Sequence, residues 1–142
     1  GVVVMDMSFM SKFLVVGRDA GHWLNYISAG NVDGDCGRIT YTQWLNASGH
    51  LEADVTVTKL EEDRFLVVVT DTMHRHAEAW LKKQIPSDAH AFVVDMTSGL
   101  AQLNLQGPKS RELLQQITNE DLGNDVFPFR TAREIDVGYA RV

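Results

Sequence analysis

Cysteine is nearly absent from this chain: Cys36 is the one thiol in 142 residues. A single cysteine forms no intrachain disulfide, which fits a reducing compartment. It sits in "DGDCGR", between acids that raise a thiol pKa, so it reads as a structural residue and not as a nucleophile. Long apolar runs are also missing. None approaches the ~18 residues that cross a bilayer as a helix. The opening "GVVVMDMSFM" has no basic leader and carries Asp6 within its apolar stretch, so it does not read as a signal peptide. Positive charge is scarce and scattered: 13 Lys and Arg stand in a chain of net charge −6. A polynucleotide partner needs a basic stripe to replace counterions on phosphates, and there is none. One or two placed cations would still suffice for a small anion. No GxGxxG or GxxxxGK[ST] phosphate loop is present, since "GNVDGDCG" lacks the helix pattern that should follow it. No serine stands in a GxSxG elbow, which leaves an esterase-type triad without support.

What remains is ordinary globular composition, with 44% hydrophobic and 23% charged residues. The length suggests one domain over residues 1–142, and a chain of this size buries roughly two thirds of its unfolded surface. Repeats, low-complexity segments and internal linkers are absent.

Local patterning predicts an α+β fold, with mostly antiparallel strands and about three short helices. "KFLVV", Lys12 to Val16, reads as a buried strand closed by Gly17. Asp19 then suits a helix N-cap, with Ala20, Trp23, Leu24 and Ile27 at helical spacing and Gly30 at the stop. Arg38 to Asn46 alternates, "ASGH" turns, and "LEADVTVTKL" returns, which is a hairpin signature. In "LEADVTV", Leu51, Ala53, Val55 and Val57 face one side, and Glu52, Asp54 and Thr56 face the other. Arg64 to Thr70 is a further apolar strand, followed by a helix from Met73 to Gln84 that Pro86 ends. Ala91–Met96 and Leu100–Gly107 are expected strands, and Pro108 suits the first turn of a third helix carrying Leu113, Leu114 and Ile117. "FPF", Phe127 to Phe129, is expected as a loop, and "REIDVGYARV" as a strand running off the end.

Few residues here carry chemistry by spacing alone. His74 and His76 sit at the start of a helix, where i and i+2 point roughly 200° apart. A shared metal would want both on one face plus a third ligand, so a solvated helix face is expected instead. His50, in the turn before "LEADVTV", reads as an exposed turn residue. Asp6, Glu52, Asp54, Asp95 and Asp136 all interrupt apolar strands, and strand acids commonly face solvent. Asp54 stands out, because its neighbours are apolar and Tyr41 and Trp44 lie on the partner strand. A carboxylate beside aromatic rings suits a flat heterocycle with N–H groups, as hydrogen-bond acceptor or general base.

Several stretches resemble one family. "VVVMDMSFMSKFLVVGRDA" is similar to the Asp-(Val/Leu/Met)-Ser-His-Met segment, with its later Gly-x-Asp-Ala, that opens the glycine cleavage T-protein superfamily. "YTQWLNASGHLEADVTV" resembles its hairpin, "LNLQGPKSRELL" its Leu-Gln-Gly-Pro strand-to-helix turn, and "DLGNDVFPF" its flavoprotein branch. The motifs fall in order across nearly the whole chain. Ala53, where the T-protein has an acid doublet, points to the folate domain of sarcosine and dimethylglycine dehydrogenases. "HAEAWLKKQIPSDAHAFVVDMT" and "EIDVGYARV" also resemble the regulatory subunit of pyruvate dehydrogenase phosphatase.

The resemblance implies the first part of a truncated tetrahydrofolate-binding domain in a larger flavoprotein that forms 5,10-methylenetetrahydrofolate from N-methyl amines. It puts the family's essential carboxylate on Asp54 and a ring-flanking tyrosine on Tyr41, with Leu105, Gln106 and Gly107 shaping the pocket. FAD would be held elsewhere in the parent, so the fragment alone is expected to lack oxidase activity. Expected partners are the folate and the rest of the flavoprotein, with no nucleic acid and no membrane. The implied setting is a bacterial cytoplasm or a mitochondrial matrix. The alternative is a regulatory module that keeps the fold without catalysis.

Overall fold

A computed structural model describes all 142 residues. The elements run β1 (Val3–Asp6), β2 (Ser11–Val16), α1 (Ala20–Ile27), β3 (Ile39–Leu45), β4 (Leu51–Glu61), β5 (Arg64–Val69), α2 (His74–Gln84), β6 (Phe92–Asp95), β7 (Leu103–Gln106), α3 (Ser110–Gln115), β8 (Asp136–Val137) and β9 (Ala140–Arg141). A short 3₁₀ turn, Asp71–Met73, leads into α2. The expected class stands: three short helices accompany sheets whose neighbouring strands are all antiparallel.

The main sheet has five strands in the order β3-β4-β5-β2-β6. Alternation splits its side chains between two faces. Phe13 and Val15 on β2, Ala53, Val55 and Val57 on β4, and Phe65, Val67 and Val69 on β5 point one way and are buried. Ala20 and Leu24 of α1 and Ala77 and Leu81 of α2 close over them, and Trp44 of β3 completes the cluster. Each large side chain taken from water here stabilises by about 1.5–3 kcal/mol.

The opposite face has no helix on it. Register places Tyr41 and Gln43, Asp54 and Thr56, Leu66 and Val68, Leu14 and Val16, and Phe92 and Val94 there. Tyr41, Phe92 and Val94 are exposed, and Leu14, Leu66 and Val68 are half-buried. This open face is the main surface that the sheet offers.

Two local details depart from expectation. Asp19 does occupy the N-cap position of α1, but its side chain does not cap the helix. Its Oδ2 instead accepts the His90 N–H at 2.7 Å, tying the helix entry to the start of β6. At the C-terminus, "REIDVGYARV" does not run on as one strand. Gly138 adopts φ 58° and folds the segment into the tight β8–β9 hairpin, with Asp136 opposite Arg141. A glycine at positive φ inside a two-residue turn makes a hairpin where the apolar pattern alone suggests continuation.

Candidate functional site

The site starts from a hairpin turn. After β3, Asn46 bends the chain: its Oδ1 accepts the N–H groups of Ser48 and His50 at 3.0 and 3.1 Å, and Gly49 takes φ 78°. This turn sets the β3–β4 register, in which Tyr41 faces Thr56 and Gln43 faces Asp54. The register slips once, between Trp44 opposite Ala53 and Leu45 opposite Leu51, which leaves Glu52 as the unpaired residue of a bulge.

The bulge separates the two acids of "LEADVTV". Asp54 stays on the open face. Its Oδ2 accepts the Tyr41 hydroxyl and its Oδ1 accepts Gln43 Nε2 at 2.9 Å. Glu52 does not share that face as a solvated acid. Its side chain is 17% exposed and turns toward α2, where Oε2 meets His76 Nε2 at 2.8 Å and Oε1 accepts Asn46 Nδ2 at 2.9 Å. Leu51, expected to point inward with Ala53, is displaced by the same bulge and is exposed.

Around Asp54 the electrostatics are specific. The hydrogen bond to Asp54, then desolvation, then the Asp54 charge push the Tyr41 phenol above its ordinary range. Tyr41 is therefore a protonated donor at neutral pH. Each Asp54 oxygen accepts one side-chain donor and keeps a lone pair free, so the carboxylate can accept N–H groups from a ligand on the open face. Hydroxyl-bearing Thr56 and apolar Leu66 and Val68 extend the surface beside it. Such a surface can seat a flat heterocycle and hold or take a proton at one edge.

The other expected site residues lie elsewhere. Leu105 and Gln106 are on β7, which pairs only with β1, Leu105 opposite Val4 and Gln106 opposite Val3. Gly107 takes φ 124°, and a side chain there would collide with the Gly1 carbonyl. Leu105 lines a cleft with α3 and the loop of residues 122–131, and neither Tyr41 nor Asp54 lines that cleft. Tyr41 meets Asp54 as expected, whereas Trp44, expected beside the acid as well, points into the core, and Gln43, not expected there, is the second donor. Its signal was available: in a hairpin that pairs Tyr41 with Thr56, Gln43 must oppose Asp54.

The two histidines are tied down in different ways. His76 holds Glu52, whereas His74 turns inward and links Ser11 Oγ at 2.9 Å with Asp95 Oδ2 at 3.3 Å. This Ser-His-Asp array is structural. Ser11 is 1% exposed, so no substrate reaches its hydroxyl, and the array fastens the start of α2 to β2 and β6. No three His, Cys, Asp or Glu side chains group closely enough to hold a metal ion. No helix is long and apolar enough to cross a membrane.

Comparison with known proteins agrees with this architecture. The family described as "GCVT N-terminal domain" matches residues 1–142. The chain belongs to that family. It is 37% identical over 142 residues to 4-methylaminobutanoate oxidase (formaldehyde-forming) of Paenarthrobacter nicotinovorans, covering 99% of this chain and 17% of that protein. It is 32% identical over 141 residues to the mitochondrial pyruvate dehydrogenase phosphatase regulatory subunit of Mus musculus, covering 98% and 16%. Human mitochondrial sarcosine dehydrogenase is 29% identical, with 90% and 16% covered. This chain therefore spans about a sixth of the length of these relatives. Among solved structures, the glycine cleavage system aminomethyltransferase T of Bartonella henselae superposes with a TM-score of 0.73 at 25% identity. That match covers 82% of this chain and 32% of the other.

Proposed function

We propose that this chain is the tetrahydrofolate-binding, one-carbon-accepting part of a longer FAD-dependent N-methyl amine oxidoreductase that forms 5,10-methylenetetrahydrofolate. One observation carries the reading: Asp54, the acid of the open sheet face, is aimed by two donors, Tyr41 and Gln43, and keeps lone pairs free. The names of sarcosine dehydrogenase and aminomethyltransferase T support it, whereas that of 4-methylaminobutanoate oxidase, which gives formaldehyde as the product, supports the amine oxidation alone.

Tetrahydrofolate would supply the amine nitrogens that take up the one-carbon unit. Asp54 would accept an N–H from the folate, orient that nitrogen, and take its proton. Tyr41 would hold the carboxylate in position and offer its ring as a stacking edge. Leu105, Gln106 and Gly107 are carried over from the family as pocket-shaping residues. FAD would be bound by other parts of the parent, and the setting would be a bacterial cytoplasm or a mitochondrial matrix.

The test uses the intact protein. Asp54→Ala should abolish methylenetetrahydrofolate formation and leave amine oxidation nearly unchanged. If both activities survive, the role of Asp54 is wrong. A second reading, a non-catalytic regulatory module, is favoured by the 32% identity to the phosphatase regulatory subunit. It predicts that the wild-type protein turns over neither amine nor folate.

A further inference from the structure

The cleft between α3 and the loop of residues 122–131 has a volume of about 420 Å³, within the range of small-ligand sites. Leu105, Leu114 and Phe127 give it an apolar lining. Arg111 and Arg130 are among its lining residues, and no Asp or Glu lines it. Glu112 and Asp121 border the adjoining hollow instead. Neither arginine is ion-paired, although the chain as a whole carries a net charge of −6.

Both arginines are held ready. Arg111 Nη2 donates to Asn124 Oδ1 at 2.7 Å, which leaves its other N–H groups free. Arg130 stacks its guanidinium over Phe129, 5.4 Å from the ring centre. Arg130 is also the one non-glycine residue at positive φ, 64°. That conformation is uncommon for a side-chain-bearing residue and persists where the surroundings impose it. Here they do: the Arg130 carbonyl accepts the Ile39 N–H at 2.9 Å, and the Ala132 N–H donates to the Gly37 carbonyl at 2.7 Å. The start of β3 thus clamps the loop on both sides of Arg130 and fixes the arginine at the cleft.

Two arginines beside an apolar lining suit a small organic anion. The planar forks bind a carboxylate or a phosphate through parallel charge-assisted hydrogen bonds, and the apolar lining accepts a flat apolar body. We propose that this cleft is a second binding site, for a small organic anion with a flat apolar body, gripped by Arg111 and Arg130. The cleft shares Leu105 with the residues carried over for the folate pocket, but neither Tyr41 nor Asp54 lines it.

Calorimetry on the intact protein tests it, with phenyl phosphate and benzoate as probes and inorganic phosphate and benzyl alcohol as half-probes. Phenyl phosphate or benzoate should bind more tightly than either half-probe. Arg111→Gln and Arg130→Gln should each weaken that binding about tenfold. Arg130→Lys, which keeps the charge and loses the fork, should fall between wild type and Arg130→Gln. Arg75→Gln, on the exposed side of α2, and Asp54→Asn should leave it unchanged. The proposal is overturned if neither aromatic anion binds, if binding survives both arginine substitutions in folded protein, or if Asp54→Asn removes it.

Discussion

Tyr41 and Asp54 are diagonal partners across the β3–β4 pair, not direct ones: Tyr41 stands opposite Thr56, and Gln43 stands opposite Asp54. The carboxylate takes a donor from Tyr41 and one from Gln43, β3 residues that share its face. This geometry makes the acid a fixed acceptor, where an isolated strand aspartate would sample several rotamers. Removing Asp54's donors should therefore loosen its aim without removing the acid. Tyr41→Phe is expected to slow methylenetetrahydrofolate formation roughly three- to tenfold, the scale of one hydrogen bond to a charged group at an exposed site. Amine oxidation should stay at the wild-type rate. An unchanged folate-coupled rate would show that the tyrosine only covers the site.

The same contact has a titration signature. Hydrogen bonding to Asp54 and the Asp54 charge favour the neutral phenol, so Tyr41 ionises at higher pH than an ordinary tyrosine. Asp54→Asn removes the charge and the strong acceptor. Ultraviolet titration of tyrosinate, with Tyr26 and Tyr139 as internal references, should show one phenol moving down in this variant. If no phenol moves, the two side chains are not in contact in solution.

Asp95 gives the molecule an acid-sensitive fastening. The hydrogen bonds from Thr97, and then the charges of His74 and Lys82, hold its carboxyl below the usual range. A group whose folded pKa is lowered contributes stability above its unfolded pKa and loses it as pH falls through the folded one. Asp95→Asn should thus lower the urea midpoint at neutral pH. The gap from wild type should close progressively below about pH 4, where the unfolded-state aspartate titrates. A gap that stays constant down to pH 2 would mean that the ionised carboxylate is not what matters.

Cys36 is exposed, but its surroundings disfavour the thiolate. Desolvation, the Glu62 carboxylate 3.5 Å from its sulfur and the charge of Asp35 push the thiol up, against the opposing pull of Lys59. The thiolate is the reacting form, so alkylation by iodoacetamide near pH 8 should be slower than that of a free cysteine. Glu62→Gln should speed it, because one negative neighbour and its hydrogen-bonded acceptor are lost. A wild-type rate equal to free cysteine would count against this environment.

Much of this was legible in the chain because strand alternation is local. "KFLVV" and "RFLVVV" place Phe13, Val15, Phe65, Val67 and Val69 correctly, and helical spacing places Ala20 and Leu24. The Tyr41–Asp54 juxtaposition was also within reach, because a short turn constrains which residues of β3 and β4 can meet. What lay beyond reach depends on tertiary docking. Ser11, His74 and Asp95 come together only because α2 packs across β2 and β6. The positive φ of Arg130 follows from a clamp by Gly37 and Ile39, nearly a hundred residues earlier in the chain. Neither relationship leaves a periodic trace. The tight turn at Gly138 did leave one, a glycine within a polar-flanked run, but apolar continuity pointed the other way.

The bulge at Glu52 divides two acids that alternation alone would treat alike, and this division can be tested directly. Glu52 is engaged by His76 and Asn46 and ties the hairpin to α2, whereas Asp54 faces the open surface. Glu52→Ala removes both contacts from a largely buried carboxylate and should cost about 1–2 kcal/mol in urea unfolding. It should leave folate-coupled turnover intact. Asp54→Asn should do the reverse, with little effect on stability and loss of turnover, because its partners are exposed and readily rehydrated. If the two variants behave alike in both assays, the register slip between Trp44 and Leu45 does not separate the acids, and Glu52 belongs to the site.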